Sequence, residues 1–144
     1  MNQSTLTHTA LTILRVTVGL IFSAHGLQKF VEFTIPGTQA AFDQMGVPAA
    51  QIVAPVVATL ELLGGIALIA GVLARVFAAL LVLDMLGALV LVHAPAGIFV
   101  EKGGFEFVLA LAAASLAIAL TGAGRYSADA TLFGSKNSKL SVLA

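Results

Sequence analysis

The chain has no cysteine, which removes disulfides, thiolate metal sites and thiol nucleophiles from anything it does by itself. It has no tryptophan and one tyrosine. An aromatic belt of the kind that anchors spanning helices at the two interfaces therefore has to come from its 9 phenylalanines. Charge is scarce: 10% of the residues are Asp, Glu, Lys or Arg, against about 25% in an ordinary soluble domain. The 7 basic and 7 acidic residues cancel, which leaves nothing to attract a nucleic acid. No phosphate loop, dinucleotide fingerprint or Ser-His-Asp pattern occurs, so no catalytic residue is assigned.

What is present in quantity is apolar. Of 144 residues, 59% are hydrophobic, and the mean hydropathy is +1.05. A helix needs about 20 largely apolar residues to cross the hydrocarbon, and four runs meet that need: 10–33, 49–71, 75–93 and 105–121. None has the polar face that a water-exposed helix carries. The expectation is an all-α, integral membrane four-helix bundle, one transmembrane domain with a polar tail over 122–144. No Lys or Arg precedes the first run, so it reads as a retained span rather than a cleaved leader.

The connections differ in kind. A tight turn at 71–75 joins the second and third runs. Between the first and second, Ile35-Pro36-Gly37 reads as a turn, and 39–45 as a short helix stopped by Gly46. Residues 94–104 are rich in Gly and Pro. With both termini in the cytoplasm, Arg15, Arg75, Arg125, Lys136 and Lys139 lie inside and Lys29 and Lys102 outside, the bias expected of cytoplasmic ends. Gly19, Gly26, Gly64, Gly65 and Gly87 mark places for close helix approach. Pro55, inside the second run, frees a carbonyl one turn earlier.

Ionisable groups inside the spans point to a site, because each costs roughly 2.5–3.5 kcal/mol at the bilayer centre on insertion scales. Arg15, His25 and Lys29 are on the first span, Glu61 on the second, Asp84 on the third, and His93 and Glu106 at the ends of the third and fourth. At about 100° per residue, Arg15, His25 and Lys29 share one side of their helix, whereas His93 falls about 180° round from Asp84. Two sets are expected. Arg15, Glu61 and Asp84 form a buried charge network, its surplus negative charge balanced by His25 or Lys29 or removed by a proton. His25, Lys29, Glu61, His93 and Glu106 line a ligand pocket open to the outer side. Phe22, Phe30, Phe33, Phe42, Phe99, Phe105 and Phe107 gather on that side, which suits a flat apolar ligand carrying oxygens. No two of the acids and histidines have helical metal spacing, so no metal is assigned.

The order of several short pieces resembles the DoxX family of small bacterial membrane proteins. The pieces are Arg15, His25-Gly26-x-x-Lys29-Phe30, Gly46-Val47-Pro48, Glu61-Leu62-Leu63-Gly64-Gly65, Arg75, His93, Gly103-Gly104-Phe105-Glu106 and Gly122-x-Gly-Arg-Tyr-Ser-x-Asp129. The resemblance implies a four-helix bundle in the bacterial inner membrane and a loose redox connection. Some relatives are subunits of quinone-linked oxidoreductases of sulfur metabolism, and others accompany thiol or quinone stress systems. It carries over no catalytic residues. The reading from the sequence is a redox-associated subunit, not catalytic alone, that binds a quinone or similar ligand beside the lipid bilayer. It receives electrons from an oxidoreductase partner subunit or acts within a homo-oligomer. The alternatives are a proton-coupled transporter of a small solute and an accessory scaffold whose charges only clamp helices.

Overall fold

The computed structural model describes residues 2–132 and is all-α, with no strand among the described residues. The expected positions of Lys136 and Lys139, and of the tail beyond 132, lie outside the described residues. Helix α1 (Gln3–Val31) is capped by Asn2, whose side chain accepts the Ser4 N–H at 2.7 Å. It begins seven residues before the expected 10, since the Ser/Thr-rich start is stabilised by that cap. Helix α2 (Ile35–Gln44) also begins earlier than expected. The Ile35-Pro36-Gly37 segment is its first turn, not a separate turn. Proline is suited there because the first N–H groups have no helical partner, and the Thr34 hydroxyl accepts the Gly37 N–H at 3.3 Å. Gly46, at φ 78°, ends the segment as expected.

Helix α3 (Ala50–Ala70) turns at Gly71 (φ 71°) and Leu73 (φ 47°) into α4 (Ala74–Ala88). α4 runs on through a wide π turn (Leu89–His93) and a 3-10 turn (Ala94–Ala96). A folded-back loop, with Phe105 and Glu106 N–H donating to the Gly97 and Ile98 carbonyls at 3.0 and 2.9 Å, leads to α5 (Glu106–Thr121). A short α6 (Ala128–Leu132) closes the described chain.

Among the described residues, three helices are long and apolar enough to cross a membrane: α1, α3 and α4 with its extension to Ala96. α5, at 16 residues, is shorter. α1 packs on α3, α3 on α4, α4 on α5, and α5 back on α1. Neighbours run antiparallel: Lys29 near the end of α1 meets Glu61 in mid-α3, while Arg15 nearer its start meets Leu68 and Ile69 near the end of α3. The core between them is Val18, Phe22, Leu68, Leu81, Met85 and Ile118 with smaller neighbours. Leucines and isoleucines such as Ile13, Leu20, Ile52, Leu83 and Leu120 stay exposed on the outside, the surface expected of a protein embedded in lipid.

The α1–α3 seam is the tightest. A Cβ on Gly19 would lie 2.6 Å from the Gly65 carbonyl oxygen, and one on Gly26 would fall on the backbone of Leu62. The absence of side chains at Gly19, Gly26 and Gly65 lets the two backbones touch. Gly64 faces α4 instead, with Leu81 and Phe77 side-chain atoms at 3.3 and 3.4 Å from its would-be Cβ. Gly87 departs from the expectation of close packing: nothing lies within 4 Å of a Cβ placed there.

Candidate functional site

The space over Gly87 belongs to a cavity of about 530 Å³ bounded by α1, α2, α3, α4 and the start of α5. Its walls are apolar for the most part, and Phe22, Phe33, Phe42 and Phe107 supply the aromatic share. Of the other phenylalanines expected on this side, Phe30 and Phe99 are exposed and Phe105 packs against the core.

Five ionisable residues line the cavity: His25, Lys29, Glu61, Asp84 and His93. Lys29 Nζ donates to Glu61 Oε2 at 2.5 Å, the ion pair found among the described residues. The Glu61 side chain is 6% exposed, and its pairing with Lys29 offsets part of the cost of burying a carboxylate. Asp84 has no such partner: its Oδ2 is buried and accepts no hydrogen bond. Counting Lys29 as +1 and Glu61 and Asp84 as −1 each leaves a formal charge of −1 facing the cavity. His25 packs its ring on Phe107, with centroids 6.1 Å apart.

His93 reaches the same space for a local reason. In a regular α-helix it would sit opposite Asp84, but the π turn at Leu89–His93 advances less per residue than an α turn. The slower rotation brings His93 back to the cavity side, where Nδ1 lies 2.6 Å from the Gly103 carbonyl oxygen. A carbonyl only accepts, so Nδ1 carries the hydrogen and Nε2 is the ring's acceptor in its neutral form.

α2 closes one side of the cavity with Thr38, Ala41, Phe42 and Met45. It is held there through Pro55. The proline lacks the N–H that would bond the Gln51 carbonyl, and Gln39 of α2 donates its side-chain N–H to that carbonyl at 2.8 Å. The freed carbonyl expected from the sequence thus fastens α2 to α3. Thr38, 2% exposed, ties α2 to α1 with a bond from its hydroxyl to the Lys29 carbonyl at 3.2 Å.

Two expected members lie elsewhere. Glu106 does not line the cavity; its Oε1 accepts the Val100 N–H at 2.7 Å and secures the loop before α5. Arg15 does not join Glu61 and Asp84. It lies 14 residues before Lys29, about 21 Å lower on a helix rising 1.5 Å per residue, beyond even an arginine's reach. Its guanidinium donates from Nη1 to the carbonyls of Leu68 and, at 2.7 Å, Ile69, and from Nη2 to that of Tyr126 at 2.9 Å. Leu68 and Ile69 lie in the last turn of α3, whose carbonyls carry partial negative charge, and Tyr126 lies in the tail. Asp129 completes this second polar cluster. Its carboxylate accepts the N–H groups of Leu73 at 2.8 Å and Ala74 at 3.0 Å, and its own N–H donates to the Gly71 carbonyl at 2.8 Å. It caps α4, which has no side-chain cap from Leu73 at its own start.

The structure therefore separates one sequence-level charge set into two ends. The Arg15 end spends its hydrogen bonds on backbone and holds helix termini together. The Lys29 end keeps unspent groups around a cavity. Among the described residues, no three His, Asp or Glu side chains are grouped to hold a metal ion.

Comparison with known proteins agrees with this architecture. The chain is 36% identical over 131 residues to a protein of Bacillus subtilis (strain 168) named "Putative oxidoreductase CatD", covering 90% of this chain and 92% of the relative. It is 34% identical over 131 residues to the "Uncharacterized membrane protein Rv3486" of Mycobacterium tuberculosis (strain ATCC 25618 / H37Rv), covering 83% of this chain and 78% of that one. No solved structure matches it. The family model described as DoxX matches residues 10–94, the stretch holding Arg15, the α1–α3 seam and all the ionisable groups of the cavity: the chain belongs to the DoxX family.

Proposed function

We propose that the protein is a redox-associated membrane subunit that binds a quinone-type ring in the cavity between α1 and α4. The observation that carries this is the cavity itself: about 530 Å³, within the few-hundred-Å³ range of small-molecule sites. It has aromatic walls and unspent hydrogen-bonding groups at His25, Lys29, Asp84 and His93. Lys29 uses one of its three N–H donors on Glu61, leaving two for a ligand oxygen. A relative named as an oxidoreductase supports the redox side. The chain binds and orients the ring, and its partner subunit supplies or removes the electrons. The whole chain is read as one domain in the bacterial inner membrane, with α5 as the fourth crossing. Both termini lie in the cytoplasm, so the cavity is near the outer face.

The test is native mass spectrometry of protein purified gently from its own membrane. A bound mass of quinone type is expected in the wild type and is lost in Gly87→Leu, whose Cβ meets nothing within 4 Å at a position lining the cavity. Phospholipid alone, or a quinone retained by Gly87→Leu, sinks the reading.

A second reading, passage of a small solute coupled to a proton, is favoured by the unpaired Asp84 beside the Lys29–Glu61 pair. It predicts liposome uptake driven by a proton gradient and abolished by Asp84→Asn. Uptake that does not depend on Asp84 removes it.

A further inference from the structure

The hydrogen-bonding groups of the cavity are unevenly divided between its two walls. α1 brings Lys29, with two N–H donors to spare, and the His25 ring, which can donate from one nitrogen. α4 brings acceptors. Asp84 offers a carboxylate whose buried Oδ2 has no partner. His93, its Nδ1 engaged by the Gly103 carbonyl, offers the lone pair of Nε2. A ring with two oxygens lying between these walls meets a donor on one side and an acceptor on the other.

A quinone carbonyl accepts hydrogen bonds and donates none. It satisfies the α1 wall and leaves Asp84 and His93 facing oxygen lone pairs, which is costly where water is displaced. A hydroxyl on the same ring does both: it accepts from Lys29 or His25 and donates to Asp84 or His93. We propose that the cavity selects the reduced, hydroxyl-bearing form of its aromatic ligand over the oxidised form, and that Asp84 determines this specificity. The inference rests on the ring-binding reading above and adds the redox form that the site recognises.

The experiment is isothermal titration calorimetry on the detergent-solubilised full chain, without oxygen. The probes are 1,4-naphthoquinone, its 1,4-dihydroxy form and the dimethyl ether of that form, which keeps both oxygens but has no O–H. The wild type is expected to bind the dihydroxy form about ten-fold or more tightly than the other two, the scale of one hydrogen bond to a charged acceptor. Asp84→Asn replaces one acceptor oxygen by a donor, and the preference is expected to fall to about two-fold or reverse. Equal or tighter binding of the quinone by the wild type overturns the proposal while leaving the cavity as the ring's site. So does a preference unchanged in Asp84→Asn. Binding of none of the three probes, or binding that Gly87→Leu does not weaken, removes the ring-binding reading and the proposal with it. The three wild-type titrations decide the proposal even if Asp84→Asn does not fold.

Discussion

Lys29 and Glu61 illustrate what one buried pair does in this setting. Each is sheltered from water, and they touch at 2.5 Å. Removing one partner leaves the other uncompensated, a loss of about 3–5 kcal/mol in buried pairs. Glu61→Leu is therefore expected to lower the thermal midpoint in detergent markedly, and the double variant Lys29→Met, Glu61→Leu to recover most of that loss. A double variant no more stable than Glu61→Leu would mean that the pair holds more than itself together. Gly87 has the opposite sign. Gly87→Ala adds a methyl group to a helix interior at a position with free space, which favours the helix by about 1 kcal/mol, yet it takes volume from the cavity. A raised thermal midpoint with weakened ring binding is expected, and a lowered midpoint would show that the space is already filled.

Elements depend on a few residues whose partners are distant in sequence. Gly26→Ala puts a Cβ onto the backbone of Leu62, whereas Gly64→Ala meets only side-chain tips of Leu81 and Phe77. The first is expected to destabilise by several-fold more than the second in thermal unfolding, and equal losses would count against a backbone seam between α1 and α3. Gln39→Leu removes the donor to the Gln51 carbonyl. It is expected to cost about 1 kcal/mol and to raise hydrogen exchange in α2 before the other helices.

These elements also mark what the sequence disclosed. Hydropathy alone located the long helices, because an apolar run of spanning length has few other fates. The glycine stripe on α1 was legible from its spacing, while the open side of Gly87 was not, since spacing does not reveal what lies opposite. Four of the five cavity ionisables, His25, Lys29, Glu61 and His93, were assignable to the pocket from their depth. Asp84 was visible as a buried charge, but its unpartnered oxygen was not. Arg15 stands apart from Glu61 and Asp84 because backbone carbonyls at the α3 terminus and in the tail take its hydrogen bonds, partial charges that no residue letter records. The π turn that redirects His93 also has no signature in the letters.

At the scale of the whole molecule, the two ends do different work. The Arg15–Asp129 end joins α1, the α3–α4 turn and the tail through bonds to backbone. Asp129→Ala is expected to lower stability by about 1–2 kcal/mol, as loss of a helix cap does, without changing which ring the far cavity prefers. A changed preference would show that the two ends communicate. The proposed orientation is testable without background, since the chain has no cysteine of its own. Single cysteines at Ser4 and at Glu101 are expected to differ, only the second reacting with a membrane-impermeant maleimide added to the outside of intact cells. Labelling of Ser4 alone would invert the topology.

The shortness of α5 bears on how the protein sits among its neighbours. Sixteen residues rise about 24 Å, against about 30 Å of hydrocarbon. If α5 is the fourth crossing proposed above, it is mismatched to its bilayer on one flank only. Lipid there must compress, or a second protein must take its place, at a cost of a fraction of a kcal/mol for each ångström left unmatched. Membrane thickness thereby becomes a variable in assembly: chains with 14-carbon acyl tails are expected to favour the lone protein, and 20-carbon tails to drive α5 against a companion.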